Sequence, residues 1–264
     1  MTKGDALPYR RKEVIGSCEL YLANCVDLLP HIGPVDHCIT DPPYEEEAHT
    51  KGRRLLGKQR NGNRTVEYGA LDFEPIAENL RKTFASQVKV ICSGWVLAFC
   101  QAEAIGEWRA VLTEAGCKWK RAMIWTKPDG APQFTGDRPG MGYESIAAAW
   151  AGEGRSSWNG GGRHGVFVHA QRDDNLPKQH MTQKPIRLML ELVNLFTDPG
   201  ETVLDPFMGS GTTLVACSKL GRRGIGVEIS EQYFDIAVKR VRDGYAQPSL
   251  FSPPASPMMQ ETLI

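Results

Sequence analysis

The stretch Asp205-Pro206-Phe207-Met208-Gly209-Ser210-Gly211-Thr212-Thr213 limits the folds open to this chain more than any other. Before it, residues 201–204 are short, apolar and partly β-branched, the pattern of a buried strand. After it, residues 214–220 read as a helix closed by Gly221. The segment is thus a strand, a glycine-rich loop and a helix. Its two glycines let backbone pass close to a ligand where a Cβ would collide. The helix start offers free N–H groups to an anionic part of that ligand. A second strand, residues 223–229, carries an acid, Glu228, near its end. A carboxylate there can accept both hydroxyls of a ribose. These parts together predict a nucleoside-cofactor site.

The loop lacks the usual tools for a polyphosphate. The run from Gly209 to Leu214 misses the third glycine of the dinucleotide fingerprint, and no lysine follows Gly211 as a phosphate-binding P-loop requires. For a lone G-x-G an ordinary tight βα turn would be the better reading, so a second feature has to decide.

That feature is Asp41-Pro42-Pro43-Tyr44, which follows the apolar run Cys38-Ile39-Thr40. A strand over residues 35–40 delivers Asp41 at its C-terminal end, where ligands bind in parallel α/β sheets. The two prolines fix φ and lack N–H groups, so their carbonyls stay free as acceptors on a rigid turn. Such a turn suits an amino-group substrate. The Asp41 carboxylate and the Pro42 carbonyl can each accept one N–H, favouring a tetrahedral nitrogen with its lone pair drawn away from the ring. Tyr44 offers an aromatic face to a base taken out of the stack. Taken alone, the tetrapeptide also fits a solvent-exposed turn, since Asp-Pro initiates turns.

The tetrapeptide and the glycine loop together resemble the amino-methylating DNA methyltransferases, which make N6-methyladenine or N4-methylcytosine from S-adenosylmethionine. The tetrapeptide precedes the cofactor loop, so the order resembles the circularly permuted β class, and the resemblance spans about residues 20–243. It implies a doubly wound, mostly parallel Rossmann-like α/β sheet with a small inserted target-recognition region. Asp41, Pro42, Pro43 and Tyr44 would be catalytic. S-adenosylmethionine would be held by Asn24, Asp41, His180, Thr182, Gln183, Lys184, Asp205, Pro206, Phe207, Gly209, Ser210, Gly211, Thr212 and Glu228. Lys184, in His180-Met181-Thr182-Gln183-Lys184-Pro185, would pair with the methionine carboxylate of the cofactor. The family often has an acid where Asn24 stands here; an amide can still accept an adenine N–H, more weakly, and Asp27 is an alternative. An aspartate at the head of the tetrapeptide leans towards adenine, because the cytosine-N4 enzymes more often carry serine there. Pyrimidine C5 chemistry would need a Pro-Cys pair, and none of the seven cysteines follows a proline.

The expected organisation is an N-terminal arm (1–17), a catalytic half (18–128), a target-recognition region (129–179), a cofactor half (180–245) and a tail (246–264). Within the catalytic half, the charged stretch 45–70 is expected to contact DNA phosphates. Arg155, Trp158, Asn159, Arg163 and His164 are candidates to read or contact DNA, although for each residue by itself a surface or loop-packing role is the better reading. Trp125 is expected in the core. Helices are expected over residues 73–84, 103–115, 186–196 and 230–243.

Net charge is zero, with 31 basic and 31 acidic residues, so any DNA-binding face is local. No apolar run approaches a membrane span, and the scattered cysteines, without C-x-x-C, fit a reduced cytoplasm and argue against structural zinc. Residues Gln247-Pro248-Ser249-Leu250-Phe251 resemble a bacterial sliding-clamp-binding pentapeptide, and the family's frequent dimerisation makes a homodimer a further expectation.

Overall fold

A run such as Trp95-Val96-Leu97-Ala98-Phe99-Cys100 has no polar face to show to water, so it suits a strand covered on both sides. In the computed structural model every one of these six positions is buried. The structure describes residues 7–43, 78–130, 132–133, 136–171 and 183–246.

Along the chain the strands are β1 Arg11–Ile15, β2 Cys18–Leu22, β3 His37–Thr40, β4 Trp95–Cys100 and β5 Lys118–Thr126. They continue as β6 Tyr143–Trp150, β7 Val166–Val168, β8 Thr202–Asp205 and β9 Arg223–Glu228. The helices are α1 Cys25–Leu28, α2 Glu78–Ile91, α3 Ile105–Glu114, α4 Ile186–Phe196, α5 Thr212–Leu220 and α6 Glu231–Ala246.

The strands form one sheet in the order β1-β2-β9-β8-β3-β4-β6-β5-β7. Strands β2, β9, β8, β3 and β4 run parallel to one another. Alternate side chains of β4 feed two layers. Val96 and Ala98 meet Phe84 and Val88 of α2 and Trp108 of α3, whereas Leu97 and Phe99 meet Leu188 and Leu192 of α4. Helices therefore cover both faces, as a doubly wound sheet requires. Phe84 and Trp108 pack edge to face at 5.8 Å, a geometry that contributes about 1 kcal/mol beyond their burial. Strands β3 and β8 lie side by side, but β3 leads on towards β4 and β8 leads back to β9. This reversal of direction is where α/β sheets open a crevice for ligands.

The structure amends the sequence reading in several places. Residues 11–15 are not part of an arm: they form the edge strand β1, antiparallel to β2. The charges that suggested solvent are paired there, Arg11 with Glu13 and Asp235, and Glu13 with Arg242. Helix α2 runs on to Ile91, while residues 73–77 lie outside the described residues. The span 129–179 contributes two strands to the sheet. Its segment 143–150 is β6, inserted antiparallel between β4 and β5, and its segment 166–168 is β7, parallel to β5. Strand β7 escaped notice because three residues behind a glycine-rich run carry no period. Trp125 is buried, and its indole N–H donates to the His169 carbonyl at 2.8 Å.

Candidate functional site

The site grows from the C-terminal ends of β3 and β8. The Thr40 hydroxyl, last in β3, donates to Asp205 Oδ1, last in β8, at 2.7 Å. The same oxygen accepts the Phe207 N–H at 3.2 Å. Asp205 therefore ties the start of the tetrapeptide to the start of the glycine loop. Burial pushes its carboxyl up to about 6, against hydrogen bonds from Thr213, Thr40 and Phe207 that favour the ionised form.

Beyond Asp205 the loop turns through two left-handed glycines, Gly209 (φ 50°) and Gly211 (φ 77°). Gly211 is required twice over: a Cβ on it would stand 2.9 Å from the Cβ of Ala237 in α6. At Gly209, by contrast, a Cβ would meet nothing within 4 Å, so this turn of backbone borders open space. The Gly209 N–H donates to Glu228 Oε2 at 3.0 Å, and the Ser230 N–H donates to Glu228 Oε1 at 2.7 Å. Glu228 thereby holds the loop in place, and each of its oxygens keeps lone-pair capacity for a further donor. Burial raises its carboxyl, opposed by those backbone amides. From α6, one guanidinium nitrogen of Arg240 reaches the Ser210 carbonyl at 2.6 Å, Ser210 Oγ at 2.7 Å and Thr212 Oγ1 at 3.0 Å.

On the β3 side the chemistry is ionic. The Lys184 ammonium donates to Asp41 Oδ2 at 2.6 Å and lies 3.1 Å from Glu144 Oε2. Glu144 Oε1 pairs with Lys127. Lys184 is buried and sits 4.9 Å from the centre of the Phe99 ring. Burial lowers a lysine, but the two carboxylates more than offset it and keep Lys184 protonated above the ordinary lysine range. Burial raises Asp41, Lys184 opposes that, and Glu144 adds to it. Asp41 Oδ1 is shielded from solvent and has no hydrogen-bond partner among the described residues; Gln183 Oε1 is in the same position. Such orphaned acceptors suggest a missing donor.

Most of the residues expected at the site are thus brought together: Asp41, Pro42 and Pro43 at the end of β3, Gln183 and Lys184 beside them, and Asp205 to Thr212 with Glu228 on the other side. Tyr44, His180 and Thr182, together with the stretch 45–70 and the pentapeptide 247–251, lie outside the described residues. Two side chains do something other than expected, Lys184 and Asn24, while Asn159 takes the loop-packing role. Lys184 is engaged by protein carboxylates. The Asn24 side chain accepts the Val26 N–H at 3.1 Å as the N-cap of α1, the role an exposed asparagine before a helix readily takes. Asn159 donates to the Asn194 and Thr197 carbonyls and to Asp198 Oδ1, which fastens its loop to the end of α4. Trp158 stacks on Phe196 at 5.3 Å and Arg163 pairs with Glu191, so both also belong to that packing.

Sequence reasoning missed Glu144, Lys127, Thr40 and Arg240 as parts of the site. A glutamate at the head of an alanine-rich buried strand was the available signal for Glu144. Nothing in the sequence near Arg240 marks it, because its partners lie 28 and 30 residues away.

The mostly parallel α/β sheet, with a glycine loop and the Asp41 turn at adjacent strand ends, is the Rossmann-like methyltransferase fold. The DNA methylase family profile matches residues 150–239. The type II methyltransferase M.HinfI of Haemophilus influenzae is 28% identical over 254 residues, covering 83% of this chain and 67% of that one. The type II methyltransferase M.Cfr9I of Citrobacter freundii is 30% identical over 146 residues, covering 51% of this chain, which spans only 49% of its length. The crystal structure of an M1.HpyAVI–SAM complex superposes with a TM-score of 0.66 at 24% identity, covering 85% of this chain and 98% of that one. Over these spans the chain is similar to the amino-methylating DNA methyltransferases.

Proposed function

We propose that the protein transfers a methyl group from S-adenosylmethionine to the N6 amino group of an adenine turned out of duplex DNA, as an enzyme of the circularly permuted β class. The observation that carries this reading is Asp41 Oδ1, a shielded acceptor without a partner among the described residues, on a strand end tied through Thr40 and Asp205 to the glycine loop. An exocyclic amine is a poor nucleophile because its lone pair is delocalised into the ring. Asp41 Oδ1 and the Pro42 carbonyl accept its two N–H groups and draw the nitrogen towards a tetrahedral shape, which is positioning and electrostatic stabilisation without a covalent step. Asp41 is also the base at hand for the proton that the methylated amine must lose.

The residues present fit the cofactor. Glu228 keeps acceptor capacity for ribose hydroxyls, the loop at Gly209 borders open space, and Gln183 has an unused acceptor. Phe207, Ser210 and Thr212 shape the same loop. When bound, S-adenosylmethionine supplies an electrophilic methyl group on a sulfonium. The chain's task is to hold that group in line with the amine and to keep water out. The stretches 45–70 and 129–179 are our candidates for DNA contact.

Asp-Pro-Pro-Tyr, with aspartate rather than serine at its head, favours adenine. Mass spectrometry of nucleosides from DNA incubated with protein and cofactor tests both levels of the reading. N6-methyladenine is the expected product. N4-methylcytosine alone overturns the choice of base, and no methylated nucleoside overturns the function.

A further inference from the structure

The buried charges around Asp41 come from four separate places in the chain, and two of them sit at the neck of one hairpin. Lys127 directly follows β5 and Glu144 lies in β6; Thr126 and Tyr143 are cross-strand partners, and the Lys127 N–H donates to the Gly142 carbonyl at 2.7 Å. Glu144 uses both carboxylate oxygens, Oε1 on Lys127 and Oε2 on Lys184. Its side chain is 14% exposed and that of Lys184 is 7% exposed. Lys184 in turn holds only one oxygen of Asp41, Oδ2. The chain Lys127–Glu144–Lys184–Asp41 alternates in sign and sums to zero charge, which is how a buried ionic group is kept tolerable.

We propose that Glu144 is a positioning residue for the methyl transfer: by gripping the Lys184 ammonium it locks that ammonium onto Asp41 Oδ2 and leaves Oδ1 as the acceptor for the incoming amine. The proposal rests on the function put forward above. Without Glu144 the ammonium has one carboxylate instead of two, in a buried setting that disfavours charge. Among the described residues the groups facing Lys184 include Asp41 from the end of β3, Glu144 from β6 and, behind it, Lys127 from the end of β5, with the Phe99 ring of β4 beneath. Loss of Glu144 therefore lowers the pH at which Lys184 gives up its proton, and Asp41 then loses its anchor in alkaline solution.

The test compares wild type with Glu144→Gln, Glu144→Asp and Lys127→Met. One readout is methyl transfer to duplex DNA from neutral pH to about pH 10, and the other is a nitrogen-15 NMR titration of Lys184 Nζ. Glu144→Gln should cut kcat about tenfold or more and bring an alkaline fall in kcat into view. The KM for DNA and the Kd for cofactor should stay within about twofold. Lys184 should titrate at lower pH in Glu144→Gln. It should not do so in Lys127→Met, which removes a neighbouring cation, nor in Glu144→Asp, which keeps the charge and should lose less turnover than Glu144→Gln. A Glu144→Gln protein with wild-type turnover and lysine titration overturns the proposal. So does a lower kcat with an unmoved alkaline limb and lysine titration, since that marks a purely structural role. If Glu144→Gln does not fold, Glu144→Asp decides: wild-type turnover with the carboxylate withdrawn by one methylene refutes the positioning role. Absence of methyl transfer by the wild type would sink the functional reading instead, and the NMR titration would still judge the grip of Glu144 on Lys184.

Discussion

The glycine loop after β8 and the acceptor turn after β3 stand at the ends of neighbouring parallel strands, yet they are held by different physics. The loop is shaped mainly by backbone: two left-handed glycines, amide donors to Glu228, and one arginine from α6 capping its oxygens. The acceptor turn is shaped by charge: a lysine buried between two carboxylates, with a second lysine behind. Backbone geometry tolerates small changes in pH and salt. A buried ionic chain does not, because each proton gained or lost leaves a neighbour unpaired. The comparison implies that damage to the loop should appear as weaker cofactor binding. Damage to the acceptor turn should appear as lost turnover.

The hardest test of that division is Asp41→Ala. It removes one of the two proposed N–H acceptors and one of the two carboxylates paired with the Lys184 ammonium. Turnover should fall by about a thousandfold or more, as when a transition-state acceptor or base is deleted. The cofactor Kd should change by less than about threefold, because the loop keeps every contact it has. Isothermal titration beside a radiolabelled methyl-transfer assay separates the two quantities. A matching loss of cofactor binding would show that the two regions are one unit.

What the sequence disclosed follows the same division. The loop was legible because its parts are contiguous: strand, glycines, helix and the next strand's acid occur within residues 201–228, and each obeys a local rule. The acceptor turn was legible only in Asp41 and its prolines. The ion chain that supports it joins positions 41, 127, 144 and 184, which no periodicity connects, and Lys184 was instead expected to meet the cofactor. Strand β1 was hidden for a related reason. Some of its charged residues look solvated until distant partners are known, as with Arg11 and Asp235, 224 positions apart. The helix over residues 186–196 was found residue for residue, since Leu188, Leu192 and Val193 mark one face and Thr197 breaks the pattern.

Asp205 joins the two regions, and its charge offers a second test. Its folded carboxyl is raised from the ordinary 3.8 to about 6, so the fold favours its protonated form. That contribution is full below the ordinary carboxylate value and is lost as pH rises through about 6. About two pH units correspond to at most about 3 kcal/mol. Asp205→Asn keeps an acceptor for Thr40 and Phe207 but cannot ionise. Its stability should stay flatter than that of wild type between about pH 4 and pH 6 in urea titrations. A profile parallel to wild type would mean that the bridge between the strands is insensitive to its charge.

Within the loop, Gly211→Ala should cost about 2 kcal/mol of stability, from a left-handed φ of 77° and a 2.9 Å approach to the Ala237 Cβ. Cofactor affinity should fall about tenfold, with kcat at saturating cofactor within about twofold of wild type. Double replacement with Ala237→Gly should recover part of the stability by removing the clash while leaving the strained φ. If it recovers nothing, backbone conformation alone fixes the glycine.

Arg240→Met should give the smallest effect and the sharpest discrimination. The methionine keeps much of the apolar stem, so packing along α6 is largely preserved. The losses include one nitrogen's bonds to the Ser210 carbonyl, Ser210 Oγ and Thr212 Oγ1. Charge-assisted bonds to a half-buried loop are worth about 1–2 kcal/mol together, so the melting temperature should drop by a few degrees. The cofactor Kd should rise about threefold to tenfold, and kcat should hold, because these bonds of Arg240 go to Ser210 and Thr212 of the glycine loop. Because the guanidinium stays charged at every accessible pH, the defect should also be independent of pH. A pH-dependent defect, or one confined to kcat, would mean that the charge of Arg240 reaches Asp41 through the Asp205 bridge, and the division between a backbone-built loop and a charge-built acceptor turn would fail at that point.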